Sequence, residues 1–175
     1  MGHYNTYCGR IKLAKNTNPT VLQALHNLIT MGLNYHPPIE EDDVFFLHPY
    51  STSVFSDYRR STVPELTPCA ELKDQNVEGY ELRFCANSKA QLDVYHFLLA
   101  YLHPWIVNKE GDLLIAGFAE DYHSTEEHDK TQVDCYAWTT LHQGHPVMNR
   151  VDNEAPWVLC AEWFAPFKET VCTLS

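Results

Sequence analysis

Basic residues are scarce in this chain: 12 Lys and Arg stand against 23 Asp and Glu in 175 residues, a formal net charge of −11. Non-specific nucleic-acid binding draws on cations that neutralise phosphates, and anionic membrane surfaces attract polybasic segments. Apart from the pair Arg59-Arg60, the chain has no such cluster. Direct nucleic-acid binding and membrane-surface attachment are therefore not expected. Long hydrophobic runs are absent too. The longest apolar-leaning stretch, Val94–Val107, is broken by His96, His103 and Pro104. It falls short of the roughly 20 residues that cross a bilayer. The opening Met1-Gly2-His3-Tyr4-Asn5 has no basic region followed by an apolar run, so no signal peptide is expected.

The familiar motifs of catalysis are also missing. No pair among Cys8, Cys69, Cys85, Cys135, Cys160 and Cys172 has C-x-x-C spacing, which removes a zinc ribbon and a thioredoxin-type site. The chain is long for a disulfide scaffold, and Cys85, Cys135 and Cys160 sit inside apolar, strand-like runs. The thiols are expected to be reduced, in a cytoplasmic protein. No nucleophile elbow, P-loop, dinucleotide fingerprint or zinc-deaminase signature occurs. No cysteine has a histidine at an interpretable spacing, so a thiol nucleophile has no support. No cofactor is expected.

What is present is enough apolar material for a core: 45% hydrophobic and 13% aromatic residues. At this length folding buries roughly 70% of the extended chain's surface, and one α+β domain spanning 1–175 is expected. A first strand is predicted near Tyr4–Ala14. A helix follows, with Asn18 as N-cap, Pro19 in its first turn, Gly32 as its stop and Leu22, Leu25, Leu28 and Ile29 on one face. Strands near Thr67–Lys73 and Tyr80–Ala86 flank the turn-rich Asp74–Gly79 as a hairpin. Ser88 and Gln91 read as a capping box for a second helix, Lys89–His103, ended by Pro104. That helix is apolar nearly all round, so something must cover its second side: a loop or a partner. Strands near Leu113–Phe118, Val133–Thr140 and Trp157–Phe164 complete a β-α-β-β-α-β-β-β order, with a strand extension after about 141. The expected architecture is a two-layer sandwich: a mainly antiparallel sheet with two helices packed on one face.

Three places draw chemical interest. The irregular 34–65 segment carries the acidic run Glu40-Glu41-Asp42-Asp43, then Val44-Phe45-Phe46-Leu47, Tyr50 and Tyr58. Loops this long are unusual inside a compact domain and often functional. The plain alternative is a surface excursion anchored by Phe45, Phe46 and Phe55. The second place is Glu120–Asp129, where Asp121, His123, Glu127 and His128 offer a metal-ligand set. The five-residue spacing of the two histidines matches neither a helical nor a strand ligand pair, and a solvated join between strands is the simpler reading of the run. The third is histidine pairs. His142 and His145 sit on a Gly-containing turn with no adjacent carboxylate, and His96 and His103 share a helix face, where core or boundary histidines are the simpler reading.

Short blocks resemble a group of small bacteriophage and prophage proteins of uncharacterised activity. They are Tyr7-Cys8-Gly9-Arg10-Ile11, Pro19–Ile29, Gly79–Phe84, the stretch from Phe97 to Ile106, and Gly117–Asp121. The resemblance spans roughly residues 4–140 and implies an accessory protein of a mobile element that binds and modulates host machinery. It carries over no catalytic residue. Joined to the charge, it leads to an expectation of a non-enzymatic protein that binds, and inhibits, a host or defence protein with a basic surface. Glu40, Glu41, Asp42, Asp43, Tyr50 and Tyr58 are then the partner-binding candidates. The rivals are a metal-assisted hydrolase built on the 120–129 cluster and a small-molecule binder with a pocket between the second helix and the long loop. A homodimer is compatible with any of these.

Overall fold

The computed structural model describes residues 5–37, 44–56, 69–88, 92–121, 132–140 and 146–151. Their order is β1 (Asn5–Leu13), α1 (Pro19–Met31), α2 (Val44–Leu47), β2 (Cys69–Asp74), β3 (Tyr80–Ser88), α3 (Leu92–Leu102), β4 (Leu113–Asp121), β5 (Gln132–Thr140) and β6 (Pro146–Val151). The strands form one six-stranded sheet in the order β2-β3-β1-β4-β5-β6, and every neighbouring pair is antiparallel. The fold is the expected α+β class.

Strand alternation sorts the sheet into two faces. Tyr7, Ile11 and Leu13 of β1 join Leu82, Phe84 and Ala86 of β3 in one buried cluster with both long helices. α1 contributes Val21, Ala24, Leu25 and Leu28, and α3 contributes Val94, Tyr95, Leu98, Leu99 and Leu102. Both sets recur at helical spacing, which is how an amphipathic helix meets a sheet. Tyr7 and Tyr95 stack with ring centroids 4.0 Å apart, seating α3 directly on β1. On the other face the same strands pair Thr6 with Asn87, Cys8 with Cys85 and Arg10 with Arg83. There Glu81 is buried and takes ion pairs from both Arg10, at 3.1 Å, and Arg83.

Local signals account for most boundaries. Asn18 Oδ1 accepts from the Thr20 N–H at 2.9 Å, Pro19 sits in the first turn, and α1 stops at Gly32 with φ 51°. Gly79, at φ 110°, turns the chain into β3, where an added Cβ would collide with the Leu13 carbonyl oxygen. Ser88 is the last residue of β3, paired with Asn5, and α3 is described from Leu92. The expected capping box of Ser88 and Gln91 spans positions outside the described residues.

β6 extends the sheet beyond β5. The last strand of the described sheet is Pro146–Val151, in register with Cys135–Thr140. The strand expected at Trp157–Phe164 lies outside the described residues. β6 also returns towards α3, with Cα atoms of the two within 8 Å, so the sheet curls around its helical face.

Candidate functional site

Val44-Phe45-Phe46-Leu47 is a single helical turn made entirely of large apolar residues. A helical turn has two sides, and positions three apart share one of them. Phe45 and Phe46 face inward and are buried, which leaves Val44 and Leu47 outward at 57% and 55% exposure. The inward pair packs on the side of α3 that the sheet does not cover. The Phe45 ring stacks on Tyr101 at 5.5 Å, and Phe46 meets the same ring edge-on at 5.3 Å. Tyr35, beyond α1, closes on Phe46 from the other direction at 6.3 Å. The second apolar side of α3 is therefore covered by the chain's own loop.

Polar contacts continue the attachment after α2. His48 Nε2 lies 3.2 Å from Asp93 Oδ2 on α3, and its Nδ1 accepts the Tyr50 N–H at 3.2 Å. Its ring lies between Phe97 and Tyr50, with centroids 5.3 and 5.9 Å away. Both nitrogens are engaged in positioning, so His48 acts here as a clamp between loop and helix. Further along, the Tyr95 hydroxyl donates to the Val54 carbonyl at 2.8 Å inside the core, and Phe55 packs on Phe84 at 5.0 Å. Ser51 and Ser53 are buried within a short 3-10 turn, where the Ser53 hydroxyl donates to the Tyr50 carbonyl at 3.0 Å.

A loop held this firmly presents a defined outer surface. Val44, Leu47 and Tyr50 are exposed on it. The turn at Gly32–Asn34 touches the turn at Ser51–Ser53, and Met31 and Leu33 at the first of these are exposed too. Five of the seven large apolar residues exposed among the described positions lie between positions 31 and 50.

Of the residues singled out from sequence, Tyr50 falls on this surface. Glu40, Glu41, Asp42 and Asp43 lie outside the described residues, immediately before α2 in the chain, and Tyr58 lies outside them after the loop. Asp121 closes β4 opposite Gln132, while His123, Glu127, His128, His142 and His145 are outside the described set. Among the described residues, no group of three His, Cys, Asp or Glu side chains is placed to hold a metal ion. His96 is exposed and His103 half-buried, at the boundary of α3 rather than in its core. Between α3 and the described part of the loop, aromatic rings meet from both sides. Among the described residues no helix is long and apolar enough to cross a membrane.

Val44, Leu47, Met31 and Leu33 escaped the sequence reading. Their signal was available in part: four consecutive large apolar residues in one helical turn cannot all face inward. No protein-family model, curated protein or solved structure matches this chain.

Proposed function

We propose that this chain is a non-enzymatic accessory protein of a phage or other mobile element. It acts in the host cytoplasm by binding, and inhibiting, a host or defence protein with a basic surface. One observation supports the reading above the others. The loop from α2 to the Ser51–Ser53 turn is fixed to the core by buried rings and a histidine clamp, yet turns Val44, Leu47 and Tyr50 outward. Rigid, exposed apolar and aromatic side chains are what interface centres are made of, because little conformational freedom is lost on docking. The run Glu40–Asp43 adjoins this surface in sequence, and the whole chain carries −11. Such a field speeds encounter with a cationic partner and selects against acidic ones. The partner that fits presents apolar anchors ringed by Lys and Arg.

The test is capture from bacterial lysate on immobilised protein, washed at physiological and at high salt. The wild type runs beside Val44→Asp/Leu47→Asp and a variant with Glu40, Glu41, Asp42 and Asp43 neutralised. A stoichiometric basic partner that is salt-released, lost by the first variant and weakened by the second, carries the reading. Unchanged capture by both variants removes this surface as the binding site.

A further inference from the structure

Three of the six cysteines fall into one cross-strand row. In the sheet register Cys69 of β2 stands opposite Cys85 of β3, and Cys85 stands opposite Cys8 of β1. Cys8 and Cys85 lie on the face turned away from the helices, both are fully buried and neither is in a disulfide. Their sulfurs are 3.6 Å apart, with the Cys8 thiol donating to the Cys85 sulfur. The rows on either side of this pair are polar. Thr6 Oγ1 accepts from Asn87 Nδ2 at 3.2 Å, and the buried Asn87 Oδ1 has no hydrogen-bond partner among the described residues. Beyond the pair in the other direction stand Arg10 and Arg83.

We propose that Cys8 and Cys85 are a redox-active dithiol that closes to a disulfide across two interior strands, with a low-molecular-weight disulfide of the glutathione type as oxidant. The backbone already meets the geometric requirement. Directly opposed residues on antiparallel strands have Cα atoms about 4.5–5.5 Å apart, and a disulfide spans Cα separations of about 4.4–6.8 Å. Only side-chain rotation is needed to bring the sulfurs together. The chemistry balances as thiol–disulfide exchange. One cysteine, as thiolate, attacks a sulfur of glutathione disulfide, whose S–S bond breaks and releases one glutathione thiolate. The other cysteine then displaces the second glutathione from the mixed disulfide. The protein loses two electrons and two protons; the oxidant becomes two thiols.

The link would join positions 77 residues apart. It would enclose α1, the pinned loop and β2 in one covalent circuit. Constraining so long a segment acts on the unfolded chain, so the oxidised form is expected to melt at a higher temperature. Because the pair is buried, the sheet face must open for the oxidant to enter. The equilibrium position, reached by long incubation, is therefore the quantity to measure.

The reduced full-length chain is incubated in glutathione buffers of increasing oxidised fraction, alkylated without unfolding and then after unfolding, and mapped by peptide mass spectrometry. The expected result is one disulfide linking the Cys8 and Cys85 peptides, formed in step with the buffer ratio. It is reversed by dithiothreitol, accompanied by a raised melting temperature, and absent in Cys8→Ser. A Cys69→Ser control should form the same link. Three results overturn the proposal: both thiols alkylated after unfolding at every ratio, a link joining Cys85 to Cys69 instead, or a stoichiometric thiophilic metal in the purified reduced protein. The wild-type chain alone decides among these, so a variant that fails to fold does not block the test.

Discussion

The Tyr95 hydroxyl donates a 2.8 Å hydrogen bond to the carbonyl of Val54, in the interior between α3 and the loop that follows α2. The same ring stacks on Tyr7 of β1 at 4.0 Å and lies nearly parallel to Phe84 of β3, with centroids 5.9 Å apart. One side chain therefore ties sheet, helix and loop together, by its faces to the sheet and by its edge to the loop.

Tyr95→Phe separates these roles. The ring stacking survives, and the buried Val54 carbonyl loses its donor, which costs about 1–3 kcal/mol. In urea denaturation the midpoint is expected to fall with the slope unchanged. Limited proteolysis of the native variant should cut first within 44–56, because the bond that holds that segment is the one removed.

The exposed and buried halves of α2 should respond in opposite ways. Leu47→Asp removes an exposed side chain and is expected to move stability by less than about 0.5 kcal/mol while weakening partner capture. Phe45→Ala empties a buried site at the Tyr101 stack and should cost about 3–5 kcal/mol. Thermal melts beside the capture assay distinguish the two. A Leu47→Asp protein that melts normally and binds normally would show that this turn does not contact a partner.

Gly9 lies directly opposite Phe84, whose ring occupies the space where a Cβ would stand. Gly9→Ala forces that ring aside and is expected to destabilise by about 1–3 kcal/mol. Because the cause is one contact, the double variant Gly9→Ala/Phe84→Leu should lose less than the sum of the single losses. Additive losses in chemical denaturation would place the strain elsewhere.

Acid should release one surface contact at the β2–β3 turn. Asp74 Oδ1 accepts from Lys15 Nζ at 3.0 Å and from the Asn76 N–H at 2.7 Å. The Lys15 hydrogen bond first, and the backbone one second, hold its carboxyl below the usual aspartate value. A depressed folded-state pKa contributes stability that is present above the unfolded value and is lost as pH falls through the folded one. The group is exposed, so the contribution is small. Asp74→Asn should lower stability slightly at neutral pH and leave the acid end nearly unchanged, so that the acid limb of the stability–pH curve is slightly flatter. An acid limb identical to wild type would refute the assignment.

Much of the architecture was legible because it rests on neighbours in sequence. Asn18, Pro19 and Gly32 delimit α1 by satisfying or refusing backbone hydrogen bonds within a turn of themselves. The near-complete apolar surface of α3 announced that a second layer would cover it. Two covers were open, a loop or a partner, and Phe45, Phe46 and Phe55 were readable as loop anchors; that Phe45 and Phe46 land on Tyr101 was not, because ring-to-ring contact leaves no local pattern. That Ser88 pairs with Asn5 was likewise not legible, since the two are far apart in the chain. Pro146–Val151 lacks a clean apolar alternation, and its place in the sheet is set by pairing with β5.

The sequence by itself determined the sign of the charge, the α+β class, the extent of α1 and the excess of apolar surface on α3, all consequences of composition and of periods shorter than one helical turn. Only the tertiary structure decided that Val44 and Leu47 face outward while Phe45 and Phe46 face in, that His48 clamps to Asp93, and that Cys8 stands against Cys85. Those outcomes depend on which strands pair, in what register, and which surface a long loop comes to rest on. They are settled by contacts between residues far apart in the chain, where no local periodicity reaches.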